Sequence, residues 1–164
     1  MKEIEYAQRM WLEAKAEAAR RQEGYGDFGL AAKLNACQMF KGDESVEDLA
    51  ALMFTQQGIE FMTRLSGGFP DLAVFRKFRR FSPERLGIYI DAGQVALKDE
   101  KRAFLVGKTT ARMTYTATQG NRLVMMHGAK ATVEASGWAV VKVDTDGTCR
   151  LEVRKSDHAK VLAR

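Results

Sequence analysis

From Ala129 onward, residues of one kind return every ten positions, and this period restricts the fold more than any other property of the chain. A first apolar position reads Ala129, Ala139, Cys149, Ala159. A second reads Ala131, Val141, Leu151, Val161, and a third reads Val133, Val143, Val153, Ala163. Lys130, Thr132, Lys142, Arg150, Glu152 and Lys160 lie between them, with Val140 and Leu162 as exceptions. Alternation with a period of two is the pattern of strands buried on one face. Gly137, Gly147 and Asp157 each stand two residues before a new repeat. Such residues accept a positive φ at low cost, so the same period specifies the corners.

Two architectures satisfy this pattern. In a β-solenoid, two ten-residue arms make a coil, and each side chain stacks on its equivalent in the next coil. In an antiparallel β-meander, short loops ending at Gly137, Gly147 and Asp157 make bulged hairpins. Side-chain size as well as polarity repeats by translation, which a solenoid requires and a meander does not. A fainter echo lies eighteen residues upstream, where Ala111, Met113, Tyr115 and Ala117 stand in for Ala129, Ala131, Val133 and Ala135. Strands around Val95 to Leu97 and Phe104 to Val106 are less regular. The expected class is α+β: a helical region over 1–85 capping a β-solenoid over 86–164, with the antiparallel meander as the alternative.

The stretch Ala131-Thr132-Val133-Glu134-Ala135-Ser136-Gly137-Trp138-Ala139 resembles the degenerate A-T-V-x-A-S-G-x-A repeats of uncharacterised proteins from gut bacteria and their mobile elements. The resemblance covers the last third of the chain. It implies a β-repeat fold and an association with mobile elements, and it carries no activity.

The first half reads as helices. From Lys2 to Glu23 the chain is rich in Ala, Glu, Lys and Arg, with Ile4, Trp11, Ala14 and Ala18 on one face. Glu5 with Arg9 and Glu17 with Arg21 are acid-before-base pairs four apart. Asp27 caps a second helix through Leu30, Leu34 and Cys37, ending near Phe40. Ser45 and Asp48 form an imperfect capping box before a third helix, which breaks between Thr55 and Gly58. Pro70-Asp71 opens a last helix carrying Leu72, Phe75 and Phe78, and Ser82 caps one more turn with Pro83 at its first position.

Charge is uneven along the chain. Residues 1–70 hold 8 basic and 11 acidic side chains, residues 71–102 hold 8 and 5, and residues 103–164 hold 10 and 5. The basic excess, +3 in residues 71–102 and +5 in residues 103–164, is therefore spread over the second half, thinner than the basic footprint of a dedicated nucleic-acid binder. Without a long apolar run or an apolar signal core, the expected location is cytoplasmic, with no membrane contact. Cys37 and Cys149 read as structural thiols.

Chemistry-bearing motifs are sparse. No C-x-x-C, H-x-x-x-H or H-E-x-x-H spacing occurs, and Gly107-Lys108-Thr109 lacks the upstream glycine of a phosphate-binding loop, whose place is taken by Arg102. The expectation is a protein that is not an enzyme, with no catalytic residues, no metal and no cofactor. His127 and His158 fall at corners. An enzyme would instead need a pocket lined by Tyr25, Asp27 or His127 with strongly perturbed acid groups. The leading expectation is a binding or assembly module for a protein partner, with Trp138, Thr148 and His158 as a recognition surface. A homodimer is expected through the last repeat, Ala159 to Arg164. The alternative is nucleic-acid contact through the basic segment 76–85, using Arg76, Lys77, Arg79, Arg80 and Arg85.

Overall fold

The ten-residue repeat winds onward and never folds back. In the computed structural model, which describes residues 2–164, nine strands alternate between two sheets. They are β1 (Ile88–Ile90), β2 (Gly93–Lys98), β3 (Arg102–Val106), β4 (Thr109–Tyr115), β5 (Gly120–Met126), β6 (Lys130–Ala135), β7 (Val140–Thr145), β8 (Arg150–Lys155) and β9 (Lys160–Ala163). Odd strands form one sheet in the order β1-β3-β5-β7-β9, and even strands form the other in the order β2-β4-β6-β8. Every pairing is parallel. This is a parallel β-solenoid of about four turns, and it excludes the meander.

Register corrects one upstream expectation. Ala111, Met113 and Tyr115 lie beside Ala131, Val133 and Ala135, an offset of twenty residues and not eighteen. Ala117 lies outside β4, in the corner that follows it. A slip of two leaves every side chain on its own face, so matching by residue kind alone does not detect it. The first winding is shorter: Ile88 pairs with Phe104 and Gly93 with Thr109, sixteen residues on, whereas Arg102 pairs with Arg122 and Thr110 with Lys130.

The interior is a continuous apolar column. Met113, Leu123, Met125, Val133, Val141 and Val143 are fully buried between the sheets, with Ala129 and Ala139 at the corners. Each large member contributes about 1.5–3 kcal/mol relative to exposure, more than a net ladder hydrogen bond of about 1 kcal/mol. In β3 and β5 the alternate residues Phe104, Val106, Val124 and Met126 are also fully buried. Residues 103–106 and 123–126 therefore read as unbroken apolar runs, and β5 is absent from the sequence reading for that reason.

Corners use the left-handed backbone region as expected: Gly137, Gly147 and Asp157 have φ of 61°, 87° and 57°. Asp91, Asp99 and His127 adopt it as well, at 47°, 52° and 56°.

Compactness divides the chain between Phe81 and Ser82. The first unit holds helices α1 (Lys2–Gly24), α2 (Phe28–Ala36), α3 (Val46–Met53), α4 (Gln56–Glu60) and α5 (Leu72–Lys77), with a π turn at Phe61–Leu65. Its core joins Ile4, Ala7, Trp11, Phe40 and Val74, with Trp11 edge-on to Phe40 at 5.9 Å. Helix α2 stops four residues before the expected Phe40, because Cys37 turns extended at ψ 125°. Lys15 Nζ donates to the Cys37 and Asn35 carbonyls at 2.6 and 3.4 Å, and Phe40 packs as a separate anchor.

The Ser45 capping box closes fully, with Asp48 N–H donating to Ser45 Oγ at 3.0 Å and Ser45 N–H to Asp48 Oδ2 at 3.4 Å. The expected break falls at Thr55, whose hydroxyl accepts from Gly58 N–H at 3.0 Å and donates to the Leu52 carbonyl at 2.7 Å. Glycine is required at 58, since a Cβ there would sit 2.2 Å from Leu52 O. Asp71 caps α5 through Val74 N–H at 2.8 Å. Ser82 departs from expectation: it sits at φ 50° with no side-chain capping bond, and Pro83 alone presets the turn that follows.

Candidate functional site

A coil of twenty residues has two corners, and equivalent corners stack in two columns. The first column follows the even strands and contains Asp99, Thr116 to Gln119, Ser136 to Ala139 and Ser156 to Ala159. The second follows the odd strands and contains Asp91, Gly107, His127 to Ala129 and Asp146 to Cys149. This phase separates the expected recognition residues. Trp138 and His158 share the first column and stack, with ring centroids 4.1 Å apart and planes 13° apart. Thr148 belongs to the second column, where its hydroxyl accepts from Gly128 N–H at 2.9 Å.

The stack is open to solvent. Trp138 is 62% exposed, and His158 beneath it is exposed as well. Nearby, Asp157 Oδ2 accepts from Gly137 N–H at 2.9 Å, and His158 N–H donates to the Gly137 carbonyl at 3.0 Å. The two rings are therefore carried on a corner tied to its neighbour by side chain and backbone.

Aspartates perform the same task between the first two windings and between the last two, a role absent from the sequence reading. Asp91 Oδ1 accepts from Lys108 N–H at 2.8 Å, and Asp99 Oδ1 accepts from Thr116 and Ala117 N–H at 2.7 and 3.0 Å. Asp146 Oδ2 accepts from His127 N–H at 2.9 Å. Parallel coils leave corner N–H groups without a ladder partner, and a short carboxylate one coil away satisfies them. The visible signal was Asp in the turn segments flanking the strands at 91, 99, 146 and 157.

The second column gathers a thiol, an imidazole and a carboxylate, those of Cys149, His127 and Asp146. Asp146 Oδ1 accepts from the Thr148 hydroxyl at 2.6 Å and from Thr148 N–H at 3.0 Å, with Cys149 Sγ at 3.6 Å, and His127 Nδ1 lies 3.9 Å from Oδ2. Burial alone would raise the Asp146 carboxyl; the Thr148 hydroxyl, the two N–H donors and the His127 charge outweigh it and hold the group below the usual carboxylate range. Burial pushes the Cys149 thiol up, and the Asp146 charge adds to that effect against the Thr148 bond. A reactive cysteine needs stabilised thiolate, and a neighbouring carboxylate does the opposite. Taken together, these contacts make a clasp between coils.

Cations of the basic segment have partners inside the protein. Lys77 Nζ lies 4.7 Å over the Tyr6 ring, and Arg80 pairs with Glu3 at 3.2 Å and stands over Phe81 at 4.9 Å. Arg76 and Arg85 are also engaged, and Arg85 belongs to the second unit. Arg79 is exposed beside them. Phe78 and Phe81 are half-buried and face each other at 6.0 Å. Nothing in this arrangement supports nucleic-acid contact.

Among the described residues no three His, Cys, Asp or Glu side chains are grouped to hold a metal ion, and no helix is long and apolar enough to cross a membrane. Tyr25 is 78% exposed next to Asp27, which is occupied as the α2 cap.

The last coil, like the first, has a neighbouring coil on one side only. β8 pairs only with β6 and β9 only with β7 among the described residues, so each strand presents a free edge. Its inward column is half-open: Leu151 and Val161 are partly buried, while Val153 is 39% exposed. Leu162, on the outward face beside Lys142, is 56% exposed.

Comparison with protein-family models, with curated proteins and with solved structures gives no match.

Proposed function

We propose that this protein is a non-enzymatic binding or assembly module, in which the β-solenoid is a rigid frame and the coil made by β8 and β9 is the docking edge. One observation carries the reading: among the described residues the edges of β8 and β9 lack neighbours while apolar Val153 and Leu162 stand exposed along them. Exposed edges are normally paired, covered or blunted, because their N–H and C=O groups template another strand. Strand addition supplies main-chain hydrogen bonds, and side chains at alternate positions supply selectivity. The stacked Trp138 and His158 rings lie at the corner beside this coil, where an exposed aromatic suits an interface anchor.

A homodimer through this coil is the form of assembly proposed. The proposal keeps the cytoplasmic location, which suits the free thiols Cys37 and Cys149, and the mobile-element association implied by the repeat resemblance. Light scattering across a concentration series tests it. The expected result is a species heavier than one 18.3 kDa chain, converted to single chains by Val153→Lys with Leu162→Lys. A mass of one chain at every concentration would remove the assembly reading.

A further inference from the structure

We infer that the open face of the Trp138 indole is a binding platform for a pyranose ring, so that this corner of the solenoid takes an uncharged glycan. This inference rests on the binding reading above and names the ligand class; it does not depend on assembly through β8 and β9.

The stack determines which face is open. Residues twenty apart are equivalent in successive coils, so Thr118, Trp138 and His158 occupy one position at the corner. The Trp138 and His158 centroids are 4.1 Å apart with planes 13° apart, close to the rise of about 4.8 Å between coils, so the rings stack along the solenoid axis. His158 therefore covers one face of the indole. Trp138 is still 62% exposed, which requires the other face to be bare, and that face is turned toward the coil of Thr118, a much smaller residue. The platform is set before a ligand arrives, because Gly137 N–H donates to Asp157 Oδ2 at 2.9 Å and His158 N–H donates to the Gly137 carbonyl at 3.0 Å. A ring already held in place loses little freedom on binding.

The surroundings of the bare face select the ligand. Residues 116–119 and 136–139, which border it, include no charged side chain. Lys155, Asp157 and Lys160 belong to the coil of His158, on the far side of the stack. In the second corner column the hydroxyls of Thr109, Thr145 and Thr148 are bonded within the protein. Those of Thr118 and Ser136, on the two coils beside the bare face, have no partner among the described residues. A nucleobase stacks on an indole as well, but a nucleic-acid strand needs a cationic track for its phosphates, which these two corners lack. An apolar peptide side chain would cover the indole and leave the hydroxyls unused. A pyranose meets both demands: the negative potential of the indole face attracts its polarised C–H groups, and its hydroxyls donate to and accept from Thr118 and Ser136.

Titration with neutral hexasaccharides of glucose, N-acetylglucosamine, mannose and xylose tests the platform. Trp11 is buried, so a saturable change in tryptophan emission reports on Trp138. At least one of these sugars binds, with an affinity that holds between about 50 and 500 mM salt because no counterion is released. By calorimetry, Trp138→Ala weakens that binding by about tenfold or more, and so does Thr118→Trp, which sets a second indole on the bare face, while circular dichroism stays that of the parent. No binding by any of the sugars, or binding that Trp138→Ala leaves intact, overturns the proposal. Tighter, salt-sensitive binding of an oligothymidylate overturns it in favour of nucleic acid, and tighter binding of an aromatic or proline-rich peptide overturns it in favour of a peptide. Light scattering on the same samples separates the two readings: sugar binding by single chains keeps the platform and removes assembly, and a dimer without sugar binding does the reverse.

Discussion

Tyr115 closes the inward face of β4 against Ala135, and the phenol is fully buried with no hydrogen-bond partner for its hydroxyl. Removing that oxygen should stabilise the protein. A buried hydroxyl without a partner costs about 1–3 kcal/mol, whereas the space left by one oxygen is too small to cost as much. Tyr115→Phe is therefore expected to add about 1–2 kcal/mol, or about 2–8 °C in melting temperature for a chain of this length. Alkaline pH gives a second, independent readout. Burial, with a smaller contribution from the Glu100 charge, pushes the phenol well above its ordinary value near 10. The unfolded chain therefore loses this proton first, and the folded state is penalised as pH rises above about 10, by up to about 1.4 kcal/mol per pH unit. The phenylalanine chain lacks that loss, so the advantage of Tyr115→Phe widens between pH 10 and 11. Urea unfolding followed by circular dichroism at pH 8, 10 and 11 measures both effects. A variant less stable than the parent at pH 8, or a gap that does not widen with pH, would mean that the hydroxyl is bonded in solution and that the reasoning is wrong.

Acid should act on the clasp. The Asp146 carboxyl is held below 3.8, so its contribution is present above that value and is lost as pH falls through the lower folded value; Asp146→Asn should flatten stability against pH below about 4 in an acid-melting series. Two glycines should behave in opposite ways. Gly147, at φ 87° with open space around it, costs about 1–2 kcal/mol as alanine, while Gly120, with no positive φ and nothing within 4 Å, is neutral or gains about 0.4–1 kcal/mol as alanine, measured by denaturant midpoints. Gly58→Ala is expected to be the most damaging single methyl, because the added carbon meets the Leu52 carbonyl at 2.2 Å; a melting temperature within about 2 °C of the parent would show that the α3–α4 break can shift.

The architecture was legible where burial is one-sided. From Ala129 onward, inward and outward residues differ in both polarity and size, and the period could be read directly. It faded at Leu123-Val124-Met125-Met126 because both faces of β5 are buried, which erases the alternation a strand normally displays. Caps were legible because they are local: Asp27, Ser45 and Asp71 bond within three residues of themselves. The corner bonds were not, since Asp99 with Thr116 or Asp157 with Gly137 join residues 17 or 20 apart whose proximity exists only after the coil closes. The recognition residues illustrate the same limit. Trp138, Thr148 and His158 share a ten-residue phase, yet a coil takes twenty, so the first and last meet while the middle one faces another corner.

Because each winding after the first repeats the same cross-section and ties its corners only to the winding beside it, length is a free variable of this scaffold. Splicing in a copy of the twenty residues 110–129 would add one layer, about 4.8 Å, without disturbing the residues at either extremity. Whatever is held at the two extremities could thus be set apart in fixed increments, as on the rungs of a ruler, by gene duplication alone.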